Sequence, residues 1–393
     1  MTGSTILVLN AGSSSIKFNV YSGVTETVKG QVSGLGAQPH LSILDCRTGH
    51  QQRGDLSPEE GRDHETALTS LLSRVDTIVD CTAISAVGHR IVHGGHLHAI
   101  PKLVDDEFLT ELEKLVPLAP LHQPHNLAGV RAASRAFPAA LQVACFDTAF
   151  HRGHPWVNDT FALPPTFYDE GVRRYGFHGL SYEYICAHLA ENFSRRIEGK
   201  TIVAHLGNGA SMCAIKNGQS IGSTMGFTAL DGLPMGTRCG QIDPGVLLYL
   251  LTTKGMSTQE VSDLLYKNAG LKGLSGISQD MRELEASRSE TARRAIDYFV
   301  FRIRRELGAM AAVLGGVDTL VFTGGIGENS ATIRREVCAD MDWLGLGLDH
   351  AANDAGKMLI SSAASSVQVL TIPTNEEEMI RRHTQALLDT GQS

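Results

Sequence analysis

The strongest constraint on the fold is a sequence unit that occurs twice. Near the N-terminus the apolar run Ile6-Leu7-Val8-Leu9 ends in the small, hydrogen-bonding turn Asn10-Ala11-Gly12-Ser13-Ser14-Ser15, and Ile16, Phe18 and Val20 then alternate as a second strand. About 195 residues later, Thr201-Ile202-Val203-Ala204-His205 leads into Leu206-Gly207-Asn208-Gly209-Ala210-Ser211 and then Met212 to Ile215. A strand, small-residue turn, strand opening in each half predicts two similar α/β domains facing one another, with the turns lining the cleft between them. Helical periodicity separates the strands over Glu65 to Val75, Asp106 to Leu115, Leu180 to Glu191, Thr258 to Asn268 and a long Ser289 to Leu314. The segment His151 to Tyr175 is rich in Pro, His and aromatics without a clear period, which places the domain junction near residue 150.

Composition narrows the class. A chain of 393 residues suits two domains, or three. The formal net charge is -8, from 34 basic against 42 acidic residues, so the whole chain carries no electrostatic footprint for nucleic acid or an anionic membrane. The cysteines Cys46, Cys81, Cys145, Cys186, Cys213, Cys239 and Cys338 are scattered singly with no CxxC pair, which suits a reducing cytoplasm. The N-terminus has no basic region, and its apolar run is shorter than a signal-peptide core. No stretch approaches the ~20 apolar residues of a membrane span, and the glycosylation-like triplets at Asn158 and Asn192 read as chance matches.

The chemistry-bearing motifs are glycine-rich but match neither common nucleotide fingerprint. Gly199-Lys200-Thr201 has Ser194 where a Walker A loop needs its first glycine, and Thr323-Gly324-Gly325-Ile326-Gly327-Glu328-Asn329 lacks GxGxxG spacing. Three strand-to-turn sites remain, around 10–17, 207–211 and 324–329. Small residues there let backbone N–H groups approach phosphate oxygens, so three such loops suit a polyphosphate, although each alone reads as an ordinary tight turn. Lys17 lies two residues beyond the serine turn, within reach of a phosphate or simply solvated. Asn10 is placed to contact a metal or to cap its turn. Arginines sit among glycines in Gly88-His89-Arg90-Ile91-Val92-His93-Gly94-Gly95 and Gly232-Leu233-Pro234-Met235-Gly236-Thr237-Arg238-Cys239-Gly240, as anion clamps or as structural ion pairs. His93, His96 and His98 form no closed metal-ligand pattern.

Taken together, these segments resemble the acetate kinases, the acetokinase group within the actin-like, sugar-kinase and heat-shock-chaperone ATPase superfamily, over nearly the whole chain. The residues that carry the resemblance are NAGSSSIKF at 10–18, GHRIVHGG at 88–95, PLAPLHQPHN at 117–126, FDTAFH at 146–151 and RRYGFHGLS at 173–181. Further on come HLGNGAS at 205–211, GLPMGTRCGQIDPG at 232–245, TGGIGEN at 323–329 and PTNEE at 373–377. Their order and spacing are specific where no single one is.

The resemblance implies an α/β chain of two similar domains of the actin-like ATPase (ribonuclease H-like) fold flanking a nucleotide cleft. Residues 1–149 would be the acyl-substrate and phosphate domain, with 373–393 packing back on it, and 150–372 the nucleotide-binding domain. It implies reversible in-line transfer of the ATP γ-phosphoryl group to acetate, giving acetyl phosphate and ADP, with domain closure excluding water. By the same match Asn10 and Glu376 contact Mg2+ (or Mn2+), and Lys17, Ser13 and Ser15 lie near the phosphates. His205, Leu206, Gly207, Asn208, Gly209, Asp280, Met281, Arg282, Gly325, Ile326, Gly327, Glu328 and Asn329 hold ATP. Arg90 binds the carboxylate, with Val92, Leu121, His122 and Phe177 around the acyl group. Asp147 takes the active-site acid position, and His178 and Arg238 match the transition-state stabilisers. A homodimer is implied as well. Without the resemblance, Asp147 reads as a turn aspartate, His178 as a core histidine and Glu376 as part of a solvated acidic face.

Acetate is already ionised near pH 7, so no general base is needed, and Asp147 is expected to orient metal-bound water or an arginine rather than to take a proton. Bringing two anions together calls for Mg2+, Lys17, Arg90, Arg238 and a donor from His178. The chain departs from the family pattern at Phe227-Thr228-Ala229-Leu230-Asp231, where FTPLEGL is usual, and at Gln241, which replaces an acidic residue. Ala229 in place of the pocket proline leaves more room beside Val92, Leu121 and Phe177, which keeps propionate or butyrate as alternative substrates. A non-catalytic nucleotide-gated module is the other alternative, but no segment is left over for a peptide-binding or DNA-reading domain.

Overall fold

The first strand, β1 (Thr5–Ala11), is apolar on both faces, and Ile6, Leu7, Val8 and Leu9 are each at most 2% exposed. Such a strand is stable only at the centre of a covered sheet. In the computed structural model, which describes residues 4–12, 15–120, 122–193 and 198–391, β1 pairs antiparallel with β2 (Ser15–Ser22). The meander continues through β3 (Thr25–Ser33), β4 (His40–Asp45) and β5 (Gln51–Asp55). On its other side β1 runs parallel to β6 (Ile84–Ile91). A short β7 (Lys102–Leu103) and β8 (Leu141–Phe146) complete the sheet, in the order β5-β4-β3-β2-β1-β6-β8-β7.

The helix His64–Val75 begins with a capping box between Asp63 and Thr66. It buries Ala67, Leu68, Leu71 and Val75 against Leu7, Leu9, Ile16 and Phe18. A second apolar cluster joins Phe108, Leu109 and Leu112 of the helix Asp106–Glu113 to Ile91, Ala144 and Phe146. The C-terminal helix, Glu376–Gly391, packs on β1, β6 and β8. It can approach closely because β6 carries Gly88, where an added Cβ would lie 2.3 Å from Thr384 Oγ1 and 2.6 Å from Ile380 Cγ2.

The second sheet has the order β11-β10-β9-β12-β13. Its strands are β9 (Lys200–Leu206), β10 (Ala210–Lys216), β11 (Gln219–Ser223), β12 (Thr319–Thr323) and β13 (Gln368–Thr371). Pairing is antiparallel from β11 through β10 to β9 and parallel from β9 through β12 to β13. That is the pattern of β3-β2-β1-β6-β8, so the repeated sequence unit is the first hairpin of two sheets with one topology. The helix Gly179–Asn192 buries Tyr182, Ile185 and Leu189 against Val203, Cys213 and Val321. The long helix Glu290–Leu314, capped by Ser289 and closed by Gly315 at φ 69, packs on β9 and β10.

By internal contacts the chain divides into Met1–Ala149 with Asn375–Ser393, and Phe150–Thr374. The sequence placed the return of the chain at 373. Thr374 belongs to the second unit because its Oγ1 bonds Ser181 Oγ at 2.9 Å and its N–H donates to Glu328 at 3.1 Å. The helices expected from periodicity are present to within a residue or two, whereas β3, β4 and β5 were not anticipated, although Leu41 and Ile43 alternate along β4. In β5 every residue is exposed and polar or glycine.

Two stability outcomes follow from this packing. Gly88→Ala is expected to cost ~1–3 kcal/mol by overpacking β6 against the C-terminal helix, read as a lower thermal midpoint. An unchanged midpoint would remove that contact from the account. Burial pushes the imidazole of His89 down to about 4 and that of His151 down to about 3, so both stay neutral in the folded chain. An unfolded histidine takes its proton near pH 6.5, so stability is full above that pH and declines as pH falls toward those lowered values. The urea midpoint should therefore drop between about pH 7 and pH 5, and less steeply in His89→Gln.

Candidate active site

In the first unit the charged side chains gather at the carboxyl ends of the parallel strands, the usual ligand edge of an α/β sheet. Asn10 lies near the end of β1, Arg90 near the end of β6, and Asp147 directly after β8. Arg90 grips Asp147 side-on, with Nε to Oδ1 at 3.1 Å and Nη2 to Oδ2 at 2.5 Å, and donates from Nη1 to Asn10 Oδ1 at 3.2 Å. Glu376, at the start of the C-terminal helix, places Oε2 3.6 Å from Arg90 Nε. Burial works against the Arg90 charge, but Asp147 and Glu376 outweigh it and raise its pKa. Glu376 is also raised, first by burial and then by Glu377, with Arg90 and Lys17 opposing. Lys17 stands across from Asn10 in the β1–β2 register. The hard oxygen donors of this cluster, Asn10 and Glu376, suit a small divalent cation that keeps most of its water. Among the described residues no group of three or more His, Cys, Asp or Glu could hold a metal, so His93, His96 and His98 build no such site.

Two residues that sequence reasoning missed shape this edge. Asn126 Nδ2 donates to Ala11 O at 2.6 Å while its Oδ1 accepts from Val92 N at 2.9 Å, tying the ends of β1 and β6 together. His64 Nε2 donates to Gly12 O at 2.7 Å. Both sit in ordinary helical sequence, although Asn126 closes the PLAPLHQPHN motif. Ser15 opens β2, and its carbonyl accepts from Gly12 N at 2.8 Å. Ser13 and Leu121 lie outside the described residues. Val92 is buried, and His122 precedes the helix Gln123–Ala136.

The second unit gathers His178, His205 and Arg238 around the turn between β9 and β10. His178 and His205 stack with ring centroids 4.2 Å apart. His178 Nδ1 bonds Ser211 Oγ at 2.8 Å, which also meets Tyr182 OH at 2.5 Å. His205 Nδ1 bonds Ser181 Oγ at 2.8 Å. A Cβ on Gly209 would stand 2.9 Å from Arg238 Nη2 and 3.2 Å from His178 Nε2, so only glycine lets both side chains close on the turn. Arg238 Nη1 donates to the carbonyl of Ala229 at 2.9 Å. The neck of the Arg238 loop is held by Arg302, which reaches Gly232 O at 3.3 Å and Gln241 Oε1 at 3.1 Å. Gln241 keeps an acceptor there without the charge of the acidic residue it replaces. Phe177 is buried in this unit.

Beside the turn lies a pocket of about 650 Å3, lined by Gly207, Asn208, Asp280, Met281, Arg282, Gly325, Ile326 and Asn329 with Gln279, Glu285 and Ser330. Ser330, Gln279 and Glu285 were not expected in it. Five of the residues expected to hold ATP do not line it. His205 stacks on His178, and Gly209 lies in the turn against Arg238 and His178. Leu206 is wholly buried in the core, Gly327 packs on the Ala204 carbonyl, and the Glu328 carboxylate accepts from Gly324 N at 2.9 Å and Thr374 N at 3.1 Å. Asp280 caps the helix Met281–Ala286 and pairs with Arg282 at 2.5 Å. The short helix Gly324–Asn329 is fixed from below by Arg334, only 1% exposed, which donates to the carbonyls of Gly327 and Glu328 at 2.9 Å. Arg334 lies in a charged helical stretch with no sequence mark to single it out.

A model of the acetokinase family matches residues 5–382. Acetate kinase of Methylocella silvestris is 53% identical, with 98% of each chain covered. The crystal structure of Porphyromonas gingivalis acetate kinase superposes with a TM-score of 0.89 at 39% identity, covering 98% of this chain and 100% of that one. A propionate kinase from Francisella tularensis gives a TM-score of 0.91 at 35% identity, covering 98% and 99%. Both units carry their charged and polar clusters at the motifs these matches span, and the chain belongs to the acetokinase family.

Proposed function

We infer that this chain transfers the γ-phosphoryl group of ATP directly to acetate, yielding acetyl phosphate and ADP, and that the reaction runs in both directions. The observation that carries this reading is the state of Arg90. With Nε and one N–H of Nη2 on Asp147 and one N–H of Nη1 on Asn10, each terminal nitrogen keeps one N–H that no hydrogen bond among the described residues takes up. That is the fork a carboxylate takes bidentately. Asp147, itself only 1% exposed, orients the fork and has no proton to remove, because acetate is ionised.

The rest of the chemistry is anion management. Arg238 and His178, brought onto Gly209, are donors for the charge spread over a transferring phosphoryl group, and Lys17 adds a cation to the first unit's edge. The pocket beside Gly207 and Gly325 falls within the ~300–1,000 Å3 usual for ligand sites and holds the nucleotide. Asn10 and Glu376 hold Mg2+ or Mn2+, whose chemistry when bound is to neutralise phosphate charge. In this assignment the first unit handles acyl group and phosphate and the second handles nucleotide.

A homodimer is part of the same reading. The helix Pro244–Thr252 is strongly apolar yet buries no residue, and Val246, Leu248 and Tyr249 are 44%, 63% and 47% exposed. A second copy of the chain is the occupant that family membership favours. A cytoplasmic location is supported by the seven scattered cysteines, none of which is in a disulfide, and no helix among the described residues is long and apolar enough to cross a membrane.

Propionate or butyrate is the second reading, favoured by Ala229. Its carbonyl anchors Arg238 whatever the side chain, so the change from proline alters pocket volume and leaves the anchor in place. A hydroxamate assay with Mg-ATP, comparing the three acids by kcat/KM, is expected to favour acetate, and a methylene is worth ~10- to 200-fold at most. Preference for a longer acid would change the substrate, and no turnover with any acid would overturn the kinase reading. Arg90→Ala should raise the acetate KM at least ~10-fold with little effect on that of ATP, and Arg238→Ala should lower kcat ~100- to 1,000-fold. Unchanged kinetics in both would sink the anion-clamp assignment. Sedimentation at micromolar concentration should give twice the chain mass, and Leu248→Glu should return it to a monomer.

A further inference from the structure

His178 adopts φ 57 and ψ 27, the left-handed region that only a few per cent of non-glycine residues occupy. Such a conformation persists where surrounding contacts dictate it. One set of contacts acts on the side chain, through Ser211 and Tyr182. A second set acts on the backbone one residue earlier, where His151 Nε2 lies 2.9 Å from the carbonyl oxygen of Phe177. His151 is wholly buried, and its ring lies so close to Gly176 that a Cβ there would be 2.6 Å from it.

The hydrogen bonds around His151 admit one arrangement of protons. A carbonyl only accepts, so Nε2 carries the proton and Nδ1 is bare. Nδ1 lies 2.8 Å from Ser220 Oγ, whose single hydrogen is therefore spent on it. His154 Nε2, also 2.8 Å from Ser220 Oγ, must then donate, which leaves His154 Nδ1 bare, and that atom is buried with no partner. Cys213 Sγ, 3.1 Å from the same oxygen, is a donor too. Burial holds both imidazoles neutral, with His151 pushed down to about 3 and His154 to about 2, so the order of donors does not change over the working pH range.

We propose that His151 is a positioning residue for the phosphoryl-transfer step: fixed by Ser220 and His154, it holds the Phe177 carbonyl and thereby presents the His178 ring to the transferring group. The proposal rests on the reading of His178 as a residue that meets that group. His151 touches no reacting atom and acts only through the backbone of 176–178. The edge of its ring also meets the face of Tyr182, at 5.6 Å between centroids, so the backbone and side-chain holds on His178 lean on one another.

The test is a double-mutant cycle on the full-length enzyme with acetate and Mg-ATP. Ser220→Ala removes the hydroxyl that orients His151, and His151→Phe removes the donor while keeping the ring. Each is expected to lower kcat by ~10- to 100-fold with both KM values within threefold. His151→Gln, which restores an N–H toward Phe177, should recover most of the loss. In a His178→Ala background, Ser220→Ala should produce no further loss. A loss of equal factor in both backgrounds would overturn the proposal, as would full activity of Ser220→Ala and His151→Phe in a chain where His178→Ala is impaired. Full activity of His178→Ala would instead overturn the reading of His178, and the proposal with it. Should His151→Phe fail to fold, Ser220→Ala, a small deletion judged by its thermal midpoint, decides the matter alone.

Discussion

A guanidinium held between carboxylates at the end of buried strands is the constraint on which the first unit depends. Arg90 is carried there by β6, whose interior position leaves no room for charge except at its end. Removing Asp147 would strip Arg90 of its two-point partner and leave only the longer contact to Glu376, and removing Arg90 would leave Asp147 and Glu376 without the cation between them. The strands, the C-terminal helix that brings Glu376, and the anion chemistry are thus one arrangement seen at three scales.

The second unit solves a different problem. Its site residues are mostly neutral donors on a glycine turn, and their directions are set by buried hydrogen bonds rather than by ion pairs. Ser211, Ser181 and the His151 cluster orient imidazoles, Arg302 braces the neck of the Arg238 loop, and Arg334 braces the short helix after β12. Small residues at Gly209, Gly207 and Gly325 keep the centre open.

Much of this was legible in the chain. The hairpin repeat and the helices with clear 3.6-residue periodicity are readable from local pattern, whereas Asn10, Arg90, Asp147, His178, Arg238 and Glu376 stand out as a set only through the order and spacing of the family motifs, since Asp147, His178 and Glu376 taken alone read as ordinary structural residues. Strand β5 was not legible, because it is exposed on both faces and carries no alternation. Leu206, Gly327 and Glu328, expected beside the nucleotide, do not line the pocket: adjacency in a motif says nothing about which way a group faces, and Leu206 is buried in the core while the Glu328 carboxylate accepts from backbone N–H groups.

The sequence by itself determined the class of fold and chemistry, since apolar runs, small-residue turns and embedded arginines are properties of neighbouring residues. Tertiary structure alone decided which of those residues support one another. Asn126 ties β1 to β6 from 115 residues away from Ala11, and His151 reaches Phe177 and Ser220 across 26 and 69 positions. Hydrogen bonds over such separations form only when the chain has paid its loop-closure entropy, and nothing in the local pattern records where they will land.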